Sequence, residues 1–194
     1  IKDILIVVNK GQVNQFRKII PNGNNLGIKI SYIEQHKPKG LPDAFILGEK
    51  FIGNENVALI LGDNFFYGQS LTKNLKNCLK LKSGAKVFLH PVKNPNLYGV
   101  ASIDEHKKIS KLEEKPKKPK SNLAITGLYF FDNKVIKLSK TLKTSKRNEL
   151  EITDLLNLYK KKINLKLNLL EEAVLGWIVV LLKIFIILRI LYLL

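Results

Sequence analysis

The chain has 194 residues, a formal net charge of +17 and an apolar fraction of 45%, which fits one folded domain and excludes wholesale disorder. A single cysteine, Cys78, excludes an internal disulfide and a cysteine-held zinc, so a disulfide-stapled secreted scaffold is ruled out and a reducing cytoplasm is the natural setting. Lysines spread from Lys2 to Lys166 without zinc-finger spacing or an RNP-type aromatic run, so the charge reads as a lysine-rich surface from an A/T-biased coding sequence, not a nucleic-acid face.

The chain opens on Ile1 and contains no methionine. Residues 1–8 lack the basic start and small-residue cleavage site of a signal peptide, so position 1 reads as the edge of a fragment. Residues 4–8 form an apolar run rich in branched side chains, the pattern of a strand buried on both faces. Residues 11–20 carry helical spacing at Val13, Phe16, Ile19 and Ile20, ended by Pro21-Asn22-Gly23. A strand follows over 27–33, a helix over 41–52, and a second buried strand over 57–61 that stops at Gly62-Asp63-Asn64. Residues 71–81 are helical with Leu71, Leu75, Cys78 and Leu79 on one face, which gives Cys78 a plain core role. Strands are predicted at 85–89, 99–103, 109–113 and 124–131, helices at 133–140 and 153–161, and a last strand at 163–170. This alternation predicts an α/β fold with a largely parallel sheet.

Few local features carry chemistry by themselves. Asp63 directly follows a buried strand, at the sheet edge where open α/β folds bind ligands; it suits a turn or cap as well as a Mg2+ site. Gly40 enters a helix after Lys37-Pro38-Lys39, where backbone amides suit an anion or base edge, although such connections are common. Lys111 to Pro116 sets two carboxylates beside a lysine, which by itself reads first as a solvated, charged strand end. His36, His90 and His106 lie far apart, so neither a metal triad nor a proton-transfer pair is supported. No Gly-x-Ser-x-Gly elbow and no phosphate-binding P-loop occurs.

The order of these pieces is more specific than any one of them. QHKPKGLPDAF at 35–45, LGDNFFYG at 61–68, Tyr98-Gly99-Val100, Glu113-Glu114-Lys115-Pro116, TGLYF at 126–130 and ELEITD at 149–154 follow one another. Together they resemble the sugar-1-phosphate nucleotidyltransferases over about residues 1–170, and within them the thymidylyltransferase branch that joins glucose 1-phosphate to dTTP. The resemblance implies a three-layer α/β/α nucleotidyltransferase (Rossmann-like) fold with a mixed, mainly parallel sheet, incomplete at both ends. It implies that Asp63 is catalytic as the ligand of Mg2+, that Gln35, Gly40 and Leu41 contact the nucleotide, and that Tyr98, Gly99, Glu114 and Gly127 line the sugar pocket. Lys115 would ion-pair with the sugar phosphate. The implied partners are dTTP, glucose 1-phosphate and further copies of the chain in a homotetramer, with no nucleic acid.

Two departures accompany the resemblance. The family begins with a strand and a Gly-x-Gly-Thr-Arg loop that grip the triphosphate, and nothing like them precedes Ile1, so the chain is expected to be inactive and poorly stable. After residue 170 the family continues with a Gly-Arg-Gly-x-Ala-Trp-Leu-Asp segment whose aspartate is a second Mg2+ ligand. Here the sequence is EEAVLGWIVVLLK at 171–183. A family-like GRGSAWLDSGTFK, written in suitable synonymous codons and read one base later, yields that stretch residue for residue. Residues 1–170 therefore read as a partial nucleotidyltransferase domain and 171–194 as an apolar tail from an alternate frame. The rival reading is a non-catalytic, basic binding protein on the same fold, anchored in a membrane by residues 174–194. Lys183 and Arg189 would each cost about 2.5–3.5 kcal/mol near a bilayer centre.

Overall fold

Alternating side chains of a strand face opposite ways, so a strand that is apolar throughout can bury both faces. The computed structural model, which describes residues 1–68, 71–169, 174–177 and 185–190, is organised by this rule. In β3 (Asn56–Leu61) and β8 (Leu123–Phe131), Val57, Leu59, Tyr129 and Phe131 enter one apolar cluster. Ala58, Leu128 and Phe130, the residues between them, enter another. β5 (Ala85–Pro91) repeats the alternation, with Val87 and Leu89 in the first cluster and Phe88 in the second.

Helices cover both clusters. Ala44 and Phe45 of α2 (Asp43–Leu47), Val135 of α5 (Lys134–Lys140) and Leu155, Leu156 and Tyr159 of α6 (Ile152–Lys162) fill the first. Phe131 sits at its centre, with ring centroids 5.2 Å from both Phe45 and Tyr159. Cys78 of α4 (Leu71–Leu79) is fully buried in the second, as its helical spacing predicts, and burial raises its thiol pKa. The result is a three-layer α/β/α sandwich.

The sheet includes β1 (Asp3–Asn9), β2 (Lys29–Gln35), β9 (Leu165–Leu169) and β11 (Phe185–Ile190), and its main path runs β2-β1-β11-β3-β8-β5-β9. β1 pairs with β2, and β5 with β9, in parallel; β8 and β11 run against their neighbours. Most strands on this path thus point one way, although the reversed pair makes antiparallel contacts outnumber parallel ones. A hairpin of β6 (Gly99–Ile103) and β7 (Ile109–Glu114) joins at the side through Val100 opposite Ala124.

Several boundaries differ from the sequence reading for identifiable reasons. The helix expected over 41–52 divides at Gly48 into α2 and α3 (Glu49–Ile52), and Gly48 lies close against β11: a Cβ there would meet Ile187 Cδ1 at 2.8 Å. α1 (Val13–Ile19) forms, but it buries no residue and Ile19 is 76% exposed, so its apolar spacing reflects no core packing among the described residues. β4 (Asn64–Tyr67) is too short for its alternation to register, and it pairs antiparallel with β10 (Val174–Trp177). The tail's described parts, β10 and β11, are strands; the rest of 171–194 lies outside the described residues. Among the described residues no helix is long and apolar enough to cross a membrane.

Candidate active site

β2 and β3 run the same way, so their carboxyl ends share one edge of the sheet, the place where open α/β sheets bind ligands. A cavity of about 640 Å³ opens there. All nine residues singled out from the sequence line it: Gln35, Gly40, Leu41, Asp63, Tyr98, Gly99, Glu114, Lys115 and Gly127. The strand-tip carboxylate and the Glu114–Lys115 pair therefore share one pocket, although they come from β3, β7 and the turn after it.

Gln35 ends β2 and is buried, and its Nε2 donates to Asp43 Oδ2 at 2.8 Å. A glutamine amide has two N–H donors and one carbonyl, so this bond fixes the side chain and leaves one donor and the acceptor for another partner. Gly40 has φ +98° and lies against Leu150; a Cβ there would overlap Leu150 O and meet Leu150 N at 2.8 Å. The same crossing is pinned by Leu150 N–H donating to Lys39 O at 2.7 Å. Glycine is required here both by the left-handed backbone and by the close approach.

Asp63 occupies the turn between β3 and β4 and is half-buried. Asn64, with its amide oriented to satisfy both neighbours, donates to Asp63 Oδ1 at 3.1 Å and accepts from Gly127 N–H at 2.9 Å. Gly127 is buried in β8 with no room for a side chain, since a Cβ would meet Leu61 Cδ1 at 2.6 Å. Lys115 holds φ +40°, an uncommon backbone for a residue with a side chain, and donates its N–H to Tyr98 O at 3.0 Å. That bond ties the lysine to the Tyr98-Gly99 wall.

The sequence reading missed a charged cluster on the facing side. Arg147 donates from Nη2 to Glu149 Oε2 at 2.7 Å and lies 3.3 Å from Glu151 Oε1 and 3.8 Å from Glu114 Oε1. Ser145 Oγ donates to Glu151 Oε1 at 2.6 Å, and Thr153 Oγ1 donates to Glu114 Oε2 at 3.3 Å. Burial raises the pKa of Glu114, and the Glu151 charge adds to this; Arg147, the Thr153 hydrogen bond and Lys115 pull the other way. A signal for the cluster was present in Glu149-Leu150-Glu151. Residues two apart in extended chain share a side, so Leu150 meets Gly40 while both carboxylates meet Arg147.

The Nucleotidyl transferase family profile matches residues 1–178. The chain belongs to that family. This nucleotidyl transferase is 46% identical over 173 residues to a glucose-1-phosphate thymidylyltransferase of Neisseria meningitidis serogroup A, covering 89% of the chain and 60% of that protein. It is 42% identical, with the same coverages, to one of Mycolicibacterium smegmatis. A crystal structure from Bacillus anthracis, assigned as the same enzyme, superposes with a TM-score of 0.76 at 39% identity, over 87% of this chain and 68% of that one. The fold also matches UDP-glucose pyrophosphorylase at a TM-score of 0.68 and 24% identity. The chain spans about 60% of the length of the curated relatives it matches.

Proposed function

We propose that this cavity is the substrate site of a transferase that moves a thymidylyl group from dTTP to glucose 1-phosphate, giving dTDP-glucose and pyrophosphate. The observation that carries the proposal is the convergence of Gln35, Gly40, Leu41, Asp63, Tyr98, Gly99, Glu114, Lys115 and Gly127 on one cavity. The family assignment and the charged lining of this cavity favour this enzyme over a non-catalytic basic binding protein.

In the proposed reaction a phosphate oxygen of the sugar phosphate forms a bond to the α-phosphorus of dTTP as the bond to pyrophosphate breaks. The attacking oxygen is already anionic, so the site needs no general base; alignment and charge compensation remain. Gln35, held by Asp43, presents its free amide donor and acceptor to the paired edge of thymine, with Gly40 and Leu41 beside it. Glu114 accepts from sugar hydroxyls, Tyr98, Gly99 and Gly127 shape the pocket, and Lys115 meets the phosphate of glucose 1-phosphate.

The donor set fits a magnesium ion. Mg2+ takes one or two carboxylates and completes its shell with phosphate oxygens and water, and Asp63 supplies one carboxylate, steadied by Asn64. When bound, Mg2+ would neutralise charge on the triphosphate.

Calorimetric titration of the chain tests this reading. dTTP should bind more tightly with Mg2+ than without, and Asp63→Asn should remove that difference. Glu114→Gln should weaken glucose 1-phosphate while leaving dTTP unchanged. Binding of dTTP that ignores both Mg2+ and Asp63→Asn would sink the reading. The proposal extends to a homotetramer, checked by light scattering, and to the reducing cytoplasm suggested by one buried thiol. It also takes residues 1–170 as the transferase domain, because every lining residue lies between 35 and 152. Resequencing tests the alternate-frame origin of 171–183: coding sequence that lacks a family-like second frame overturns it.

A further inference from the structure

β11 occupies an interior place in the sheet. It lies inside the sheet, antiparallel to β1 on one side (Ile4 opposite Leu188, Val7 opposite Phe185) and to β3 on the other (Leu61 opposite Phe185, Ala58 opposite Leu188). Along the main path it alone connects β2-β1 to β3 and the strands beyond. Its side chains are fitted to the position. Ile187 is fully buried, against Gly48 at the break between α2 and α3. Arg189 is the one charge in an apolar segment: Nη2 donates to Asp3 Oδ2 at 2.7 Å, Nη1 donates to Phe51 O at 3.4 Å, the guanidinium lies 5.5 Å over the Phe51 ring, and only its buried Nε lacks a partner among the described residues.

Register follows from that pairing. A slip of one residue would turn Ile187 out of the core and carry Arg189 to the other face, away from Asp3. The geometry points to residues 185–190 as an intramolecular donor strand whose seating fastens residues 1–35, and with them Gln35, to the rest of the sheet. Main-chain hydrogen bonds on both edges supply the attachment, and the Arg189–Asp3 pair supplies the register. The inference rests on strand pairing and is independent of the reaction proposed above.

Two measurements on the full chain decide it. Asp3→Arg and Arg189→Asp, singly, should each speed amide exchange in β1 and β2 by about tenfold or more while β5 and β8 stay protected, and the double exchange should restore slow exchange. Single variants that exchange like the parent, or a double variant as fast as either single, would overturn the proposal. Opposite residues of an antiparallel pair lie within disulfide reach, so Ile4→Cys with Leu188→Cys should oxidise to an intrachain link. Ile4→Cys with Ile187→Cys, one residue out of register, should not. A link in the second pair, in neither pair, or between two chains would reject an intramolecular strand in this register. This second measurement reads seating directly if the charge variants fold poorly.

Discussion

The cavity has two walls, and they are fixed in different ways. Asp63, Glu114, Lys115 and Gly127 follow or belong to β3, β7 and β8; β3 and β8 carry Leu59 and Phe131 through the main core. Gln35, Gly40 and Leu41 belong to β2 and the segment after it, and β2 is the outermost strand of the path, with β1 as its neighbour. The first wall takes its rigidity from close packing on both sheet faces. The second depends on a few discrete contacts: Gln35 with Asp43, Gly40 with Leu150, and the seating of β11.

The largest expected effect comes from the core-backed wall. Leu59→Ala should destabilise the chain by about 3 kcal/mol in urea unfolding, whereas Ile33→Ala, on the partly buried β2, should cost about half of that. Equal costs would mean that the walls share one rigidity, and the contrast would fail. Next, Gly40→Ala should cost about 2 kcal/mol, since it strains a left-handed backbone and meets the Leu150 main chain. Gly27→Ala is the control: its backbone is left-handed at φ +64° but nothing lies within 4 Å, so about 1 kcal/mol is expected. The gap between the two measures what the crossing at Leu150 adds.

A smaller effect concerns pH. Burial, reinforced by Glu151, raises the folded pKa of Glu114 above its ordinary 4.5, so the native chain binds that proton more tightly than the unfolded chain. The stability it contributes is full below the unfolded value and is lost as pH rises through the folded one. Glu114→Gln should therefore lower the melting temperature at pH 4.5 relative to that at pH 7; no relative change would place the titration elsewhere. Smallest of all, Lys140→Ala should shift stability by no more than about 0.5 kcal/mol, although Lys140 Nζ and Glu49 Oε1 are 2.6 Å apart, because both side chains are about half exposed.

Much of the strand frame could be read from local pattern. Residues 57–61 are apolar at every position, and 124–131 at every position but Thr126 and Gly127, a pattern that suits burial on both faces, and both are strands in the core. The same logic placed Cys78 inside, since helical spacing is a property of a few neighbouring residues. The Arg147 cluster escaped because its partners come from 114, 149 and 151, and no periodicity links the first to the others. The close approach at Gly48 escaped for a related reason: its partner is Ile187, far along the chain.

Sequence by itself determined which residues could bury, where backbone must bend, and which motifs resemble those of the family, because those are properties of residue type and short spacing. Tertiary structure alone decided that nine separated positions meet in one cavity, that Asn64 links Asp63 to Gly127, and that a late strand lies between β1 and β3. The physical reason is that these are contacts across the sheet and between loops, fixed by packing and register over long separations that no local pattern encodes.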